Sequence, residues 1–334
     1  MYEIIRKSLI ITLCLVVSKL IHLNVSVFIV VFSIILATTC YSRHIVPQFQ
    51  RLLPSVAAAC GAVFINQLFA EHPFVIWTVS IMYFDYVRRK ADNNLKIAVA
   101  TLPLFMIIFI STYHNTTSFT LAIPNIIRDV VFSAMIAALI ASFVNHVLPV
   151  RGKPPPMVVT PISVTGADRL KLLVLVGGGL SFIMINEVTS AVFCLVPLIT
   201  SAMQPTHSLM KSHSQAKLIS QVGGCSMAII MSFAFSGTEV NIFTYLVVSF
   251  CLVLTILYWM SHPRAIDIHI HRDALMGFLI PYQLYVAKDG NDFGLNSITL
   301  RAVELFIALM IIYVLSHWLD HLALRNVQKH STTS

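Results

Sequence analysis

The chain has 334 residues, of which 57% are hydrophobic and only 11% charged, and its mean hydropathy is +0.83. That balance excludes an ordinary water-facing surface, because apolar runs of membrane-spanning length recur along the sequence. The formal net charge of +8 falls in short segments between those runs; there it orients helices in a bilayer and leaves no constellation for nucleic acid.

Only helices or closed barrels cross a bilayer, and these runs are too long and too continuously apolar for barrel strands. The sequence therefore predicts an all-α polytopic membrane protein with about 12 transmembrane helices. They lie near residues 4–23, 25–41, 52–70, 73–87, 96–113, 126–148, 169–186, 188–204, 217–235, 240–259, 274–288 and 298–319. Arg6 and Lys7 precede the first run as in a signal peptide, but no small-x-small cleavage site follows, so it is kept as a mature helix. The eleventh run is short and holds Gly277 and Pro281, which makes it the candidate for a broken helix. Cys14, Cys40, Cys60, Cys194, Cys225 and Cys251 lie in or beside apolar runs without ligand spacing and read as small reduced hydrophobes.

Lys and Arg alternate across this series as the positive-inside rule requires, at Arg6–Lys7, Arg43 and Arg51, Arg88–Lys90, Arg151 and Lys153, Lys211 and Lys217, Arg264 and Arg272, and Arg325 and Lys329. Both ends are thereby placed in the cytoplasm, and the opposite loops carry Lys288 and little else basic.

The stretch Pro149-Val-Arg-Gly-Lys-Pro-Pro-Pro156 divides the chain. It separates a first six-helix repeat (1–148) from a second (169–320), with a proline-rich cytoplasmic linker at 149–168 and a cytoplasmic tail at 321–334. Moving Arg6 onto Arg169 also sets His44 on His207 and Gly61 on Gly224. Six helices per half give two parallel repeats, related by a pseudo-two-fold axis along the membrane normal.

Ionisable residues inside spans are the sharpest functional pointers, since each is costly in lipid. Arg128 opens the sixth helix and Arg301 the twelfth, with Glu304 one turn beyond Arg301 and Asp129 beside Arg128, pointing elsewhere. One reading has Arg128 and Arg301 face each other across the axis and attract a carboxylate, while Asp129 or Glu304 takes a proton. The other has both arginines snorkel to headgroups, as Lys19 does near the outer end of helix one. Thr200, Ser201 and Gln204 at a polar helix end, with Asn66 and Gln67 on helix three, are candidates to line a polar path or to bond between helices. Ser133, Ala137 and Ala141, Gly177–Gly179 with Ser181, and Ser220 with Gly224 mark close helix packing. Asp267 to Asp273 alternates metal-ligand types within a basic loop, and neither a metal nor a cofactor is assigned.

The segment Cys194-Leu-Val-Pro-Leu-Ile-Thr-Ser-Ala-Met-Gln-Pro205, continuing through Lys211 to Gly223-Gly224, resembles the signature of the fusaric-acid-resistance (FUSC) and aromatic acid exporter superfamily. The resemblance implies efflux of organic, including aromatic, anions across the bacterial inner membrane, beside a periplasmic adaptor of the membrane-fusion type. The connector of about twenty residues is too short for the cytoplasmic domain that larger members carry between their halves. Two other classes compete: an intramembrane enzyme acting on lipid or glycan, and a structural subunit of an envelope complex. No P-loop is present, since Gly152-Lys153 runs into prolines, and no hydrolase or metalloprotease motif supports an enzyme.

Overall fold

The computed structural model describes residues 1–21, 23, 26–40, 42–115, 123–150, 159–186, 195–204, 207–235, 241–261 and 268–283, with five positions from 303 to 314 beyond them. Among the described residues all regular structure is helical, apart from one bridge between Asn93 and Pro161. The helices are α1 (Tyr2–Ile21), α2 (Val27–Thr39), α3 (Ile45–Leu68), α4 (Pro73–Lys90), α5 (Asn94–Asn115), α6 (Ile123–Val147), α7 (Gly166–Leu172), α8 (Gly178–Asn186), α9 (Leu195–Ala202), α10 (His207–Phe235), α11 (Ile242–Met260) and α12 (Ile268–Pro281). A π-helical turn, Leu173–Gly177, joins α7 to α8.

Among the described residues four stretches are long and apolar enough to cross a membrane: Ile45–Leu68, Asn94–Thr112, Asn125–Val147 and Ile242–Trp259. With these helices the chain is a membrane protein. The packing pattern agrees, because α6 turns Phe132, Met135, Leu139 and Phe143 outward while Ser133, Ala134, Ala137, Ala138 and Ala141 are buried. Large side chains outside and small ones inside invert the pattern of a water-soluble helix and let helix backbones approach closely. The predicted ridge of Ser133, Ala137 and Ala141 is thus an inward face.

Two compact units are drawn from several chain segments each. The first comprises residues 1–67, 118–157 and 220–302. At its centre α2 packs against α1, α6 and α12, with Val27–Ile34, Leu36 and Ala37 all buried. A helix apolar on every side belongs in such a position. Its 13 residues rise only about 20 Å, short of the hydrocarbon thickness. Gly224 on α10 meets α12 backbone to backbone at Gly277 and Phe278. Gly61, its partner in the repeat alignment, faces open space.

The second unit comprises residues 68–117, 158–219 and 303–334. Here α4 lies against α5, α7, the π turn and α8, and α9 packs on α5 and the π turn. Gly177 allows that approach, since a Cβ there would run into Ile81 Cδ1. The indole nitrogen of Trp77 donates to the Gly177 carbonyl at 2.9 Å.

Several boundaries differ from the sequence expectation. Helix α3 begins at Ile45 because Pro47 in its first turn costs no internal bond. Helix α10 begins ten residues before the predicted span, since the polar turns from His207 are helix-compatible and need not lie in lipid. The proposed break near Gly277 falls in continuous helix as far as Pro281, and the twelfth predicted span lies largely outside the described residues.

Candidate functional site

A dense polar cluster lies in the second unit, where the basic end of α4 meets α7 and the end of α9. Arg88, Arg89 and Lys90 close α4, a placement that suits the negative end of the helix dipole. Arg88 is fully buried. Its Nη1 donates to the Ala91 carbonyl at 3.2 Å, while Nε and Nη2 have no hydrogen-bond partner among the described residues. Guanidinium donors left in that state inside a protein are expensive, and an incoming anion would satisfy them.

The neighbours of Arg88 are set by α7. Thr165 caps that helix through a capping box, its hydroxyl accepting from the Asp168 amide at 3.2 Å while Asp168 Oδ2 accepts from the Thr165 amide and hydroxyl. Asp168 Oδ1 lies 3.5 Å from Lys171 Nζ. Lys171 Nζ donates to the Gln204 carbonyl at 2.6 Å, and Gln204 Nε2 donates to the Thr200 carbonyl at 3.0 Å. Burial opposes ionisation of Asp168, but the bonds from Thr165 and the charges of Lys171 and Arg88 outweigh it and hold the carboxyl below the usual carboxylate range. Beside this group Arg169 Nε and Nη2 donate to the two oxygens of Asp85, each at 2.6 Å. Arg88, Arg169 and Lys171 against Asp85 and Asp168 leave one net positive charge.

Two consequences can be measured. The Asp85–Arg169 pair is bidentate but a quarter to a third exposed, so a double-mutant cycle with alanine is expected to give a coupling of about 1 kcal/mol. Thr165→Ala should lower stability by about 1 kcal/mol through loss of the cap. Because the Asp168 carboxyl titrates low when folded, its stabilisation is complete above the ordinary carboxylate pKa of about 4 and is lost as pH falls through the lower folded value. Unfolding midpoints measured down to about pH 3 should therefore drop less steeply in Asp168→Asn than in the native protein.

The predicted site residues fall in different places. Thr200, half-buried, and Ser201, fully buried, close α9, with Gln204, half-buried, just beyond its end, and the Ser201 hydroxyl has no partner among the described residues. Arg128 and Asp129 lie in the first unit on α6, and they do not point apart as expected. Arg128 is about half exposed and its Nε and Nη2 donate to Oδ1 of the fully buried Asp129 at 3.2 and 3.1 Å. A long guanidinium arm can curl round its own helix, and a carboxylate in a low-dielectric interior demands a countercharge. Arg301 and Glu304 lie outside the described residues. The Lys19 Nζ sits 5.4 Å from the Tyr245 ring centroid. Tyr245 stacks on Tyr282 and Tyr282 on Phe278, and Gln283 Nε2 donates to Ser18 Oγ at 2.8 Å. Asn66 donates back to the Ala62 carbonyl of its own helix at 2.7 Å.

Sequence reading missed Arg88 as a site residue, having used it only to orient a loop. It also missed the Thr165-x-x-Asp168 capping signature, which was there to be found at the end of the linker. Residues 159–168 are not free connector: Ile162 N donates to the Asp92 carbonyl at 2.7 Å, Thr160 N to Asn94 Oδ1 at 3.2 Å, and Asn93 bridges Pro161.

No curated protein and no solved structure matches the chain. A family model described as "Protein of unknown function (DUF2955)" matches residues 3–144, so the first part of the chain is similar to that family.

Proposed function

We propose that this protein is an inner-membrane exporter of organic anions, working as a secondary transporter or channel-like pore. The observation that carries the proposal is Arg88, a fully buried guanidinium with two donors unpartnered among the described residues, set beside Lys171 and Asp168. A carboxylate fits it by charge and by the fork of N–H groups. In the topology predicted from flanking cations, this cluster belongs to the cytoplasmic ends of its helices, the side from which an exporter collects its load. Thr200, Ser201 and Gln204 would line the entry.

Further support comes from the likeness of Cys194 to Pro205 to the FUSC and aromatic acid exporter signature. The architecture proposed with it is the one the sequence predicts, two parallel six-helix repeats with both ends cytoplasmic. At the outer ends of the sixth and twelfth helices, Arg128 and Arg301 attract the anion and Asp129 or Glu304 takes a proton. A periplasmic adaptor of the membrane-fusion type would carry the substrate onward.

The test is flux in proteoliposomes. Protein reconstituted into vesicles loaded with an aromatic or aliphatic monocarboxylate should release it saturably, and the corresponding neutral amide should leave no faster than from empty vesicles. Correctly folded protein that moves none of the carboxylates would overturn the proposal.

A further inference from the structure

A cavity of about 350 Å³ opens between α4 and α5, beside the basic end of α4. Its walls are apolar, with Val99 and Pro103 on α5, and its rim carries Tyr83, Tyr86, Lys90 and Lys96. Helix α5 is one of the stretches able to cross a membrane, and Asn93 caps its start by accepting from the Lys96 amide at 2.8 Å. The mouth of the cleft is therefore where hydrocarbon gives way to headgroups, the level at which tyrosines and lysines gather. Lys90 and Lys96 are exposed there, Lys90 lying 6.0 Å from the Tyr86 ring centroid and Lys96 bonded to Asp92 at 2.7 Å. Pro103 has no amide hydrogen to give the Val99 carbonyl, so the wall offers a backbone acceptor as well.

We infer that this cleft binds an anionic phospholipid of the surrounding membrane, its acyl chain along the apolar wall and its phosphate on Lys90 and Lys96. The shape fits an amphiphile, with an oily slot ending in cations, and a small free anion would have no use for the slot. Anionic headgroups gain about fivefold in affinity per lysine near the surface, whereas a zwitterionic headgroup gains little. The inference needs the chain to lie in a bilayer, and it is independent of what the protein carries.

Native mass spectrometry of the full chain in mild detergent supplies the test, with phosphatidylglycerol and phosphatidylcholine of identical acyl chains as probes. Phosphatidylglycerol should be retained at least about fivefold better. The double variant Lys90→Gln/Lys96→Gln, changed only at exposed positions, should reduce it to the phosphatidylcholine level, while Arg51→Gln, at an exposed position on α3, should keep the preference. Val99→Trp, which fills the slot, should diminish retention of both lipids. Equal retention of the two lipids by native protein would overturn the inference. So would a preference that survives the double lysine change, or phosphatidylglycerol binding that Val99→Trp leaves untouched.

Discussion

Replacing Arg88 by Gln is expected to abolish carboxylate flux while leaving folded protein in the membrane. The guanidinium is fully buried, and of its donors only Nη1 is bonded among the described residues, to the Ala91 carbonyl. Nε and Nη2 are available to a ligand, and two charge-assisted bonds of about 1.5–3 kcal/mol each correspond to a loss of at least about a hundredfold in transport. Arg88→Lys should fall between, because an ammonium supplies the charge without the fork. Equal thermal stability of native and Gln forms in detergent separates this outcome from simple unfolding. Native flux in a folded Arg88→Gln protein would remove the residue from the path and leave the buried guanidinium a structural group.

The second large effect is steric and concerns two neighbouring glycines, Gly223 and Gly224. A Cβ on Gly224 would lie 2.6 Å from Gly277 C and Phe278 N and 2.7 Å from Ala274 O, all backbone atoms of α12. Backbone cannot swing aside as a side-chain tip does, so α10 and α12 would have to separate. Gly224→Ala is expected to cost up to about 2 kcal/mol after allowing for its better helix propensity, and Gly224→Leu to prevent accumulation of folded protein. Gly223 meets nothing within 4 Å. Gly223→Ala should therefore be neutral or stabilising by up to about 1 kcal/mol. Equal effects at the two positions, measured as unfolding midpoints in a denaturing detergent titration, would refute the crossing.

These two sites mark how far the sequence could be read. Ser220 and Gly224 were legible as a close-packing ridge, yet Gly277, which Gly224 approaches, reads in the sequence as a helix breaker. A glycine's local signal is conformational freedom, and which backbone comes near it is a fact about a helix distant in sequence. Arg88 was legible only as a loop cation because its burial depends on α7 and on the chain before it. Asp129 was expected to point away from Arg128, since helix geometry separates adjacent residues, and the pairing follows from how deeply that carboxylate is buried.

What the sequence by itself determined is the solvent: runs of apolar residues with few charges oblige the chain to form helices that satisfy their own backbone in lipid, and cations between them bias orientation. What only the tertiary structure decided is which segments combine into each compact unit, and which polar groups are buried with donors to spare. Hydropathy is a property of each segment alone, whereas burial, crossing points and unpaired donors belong to residues brought together from distant parts of the chain.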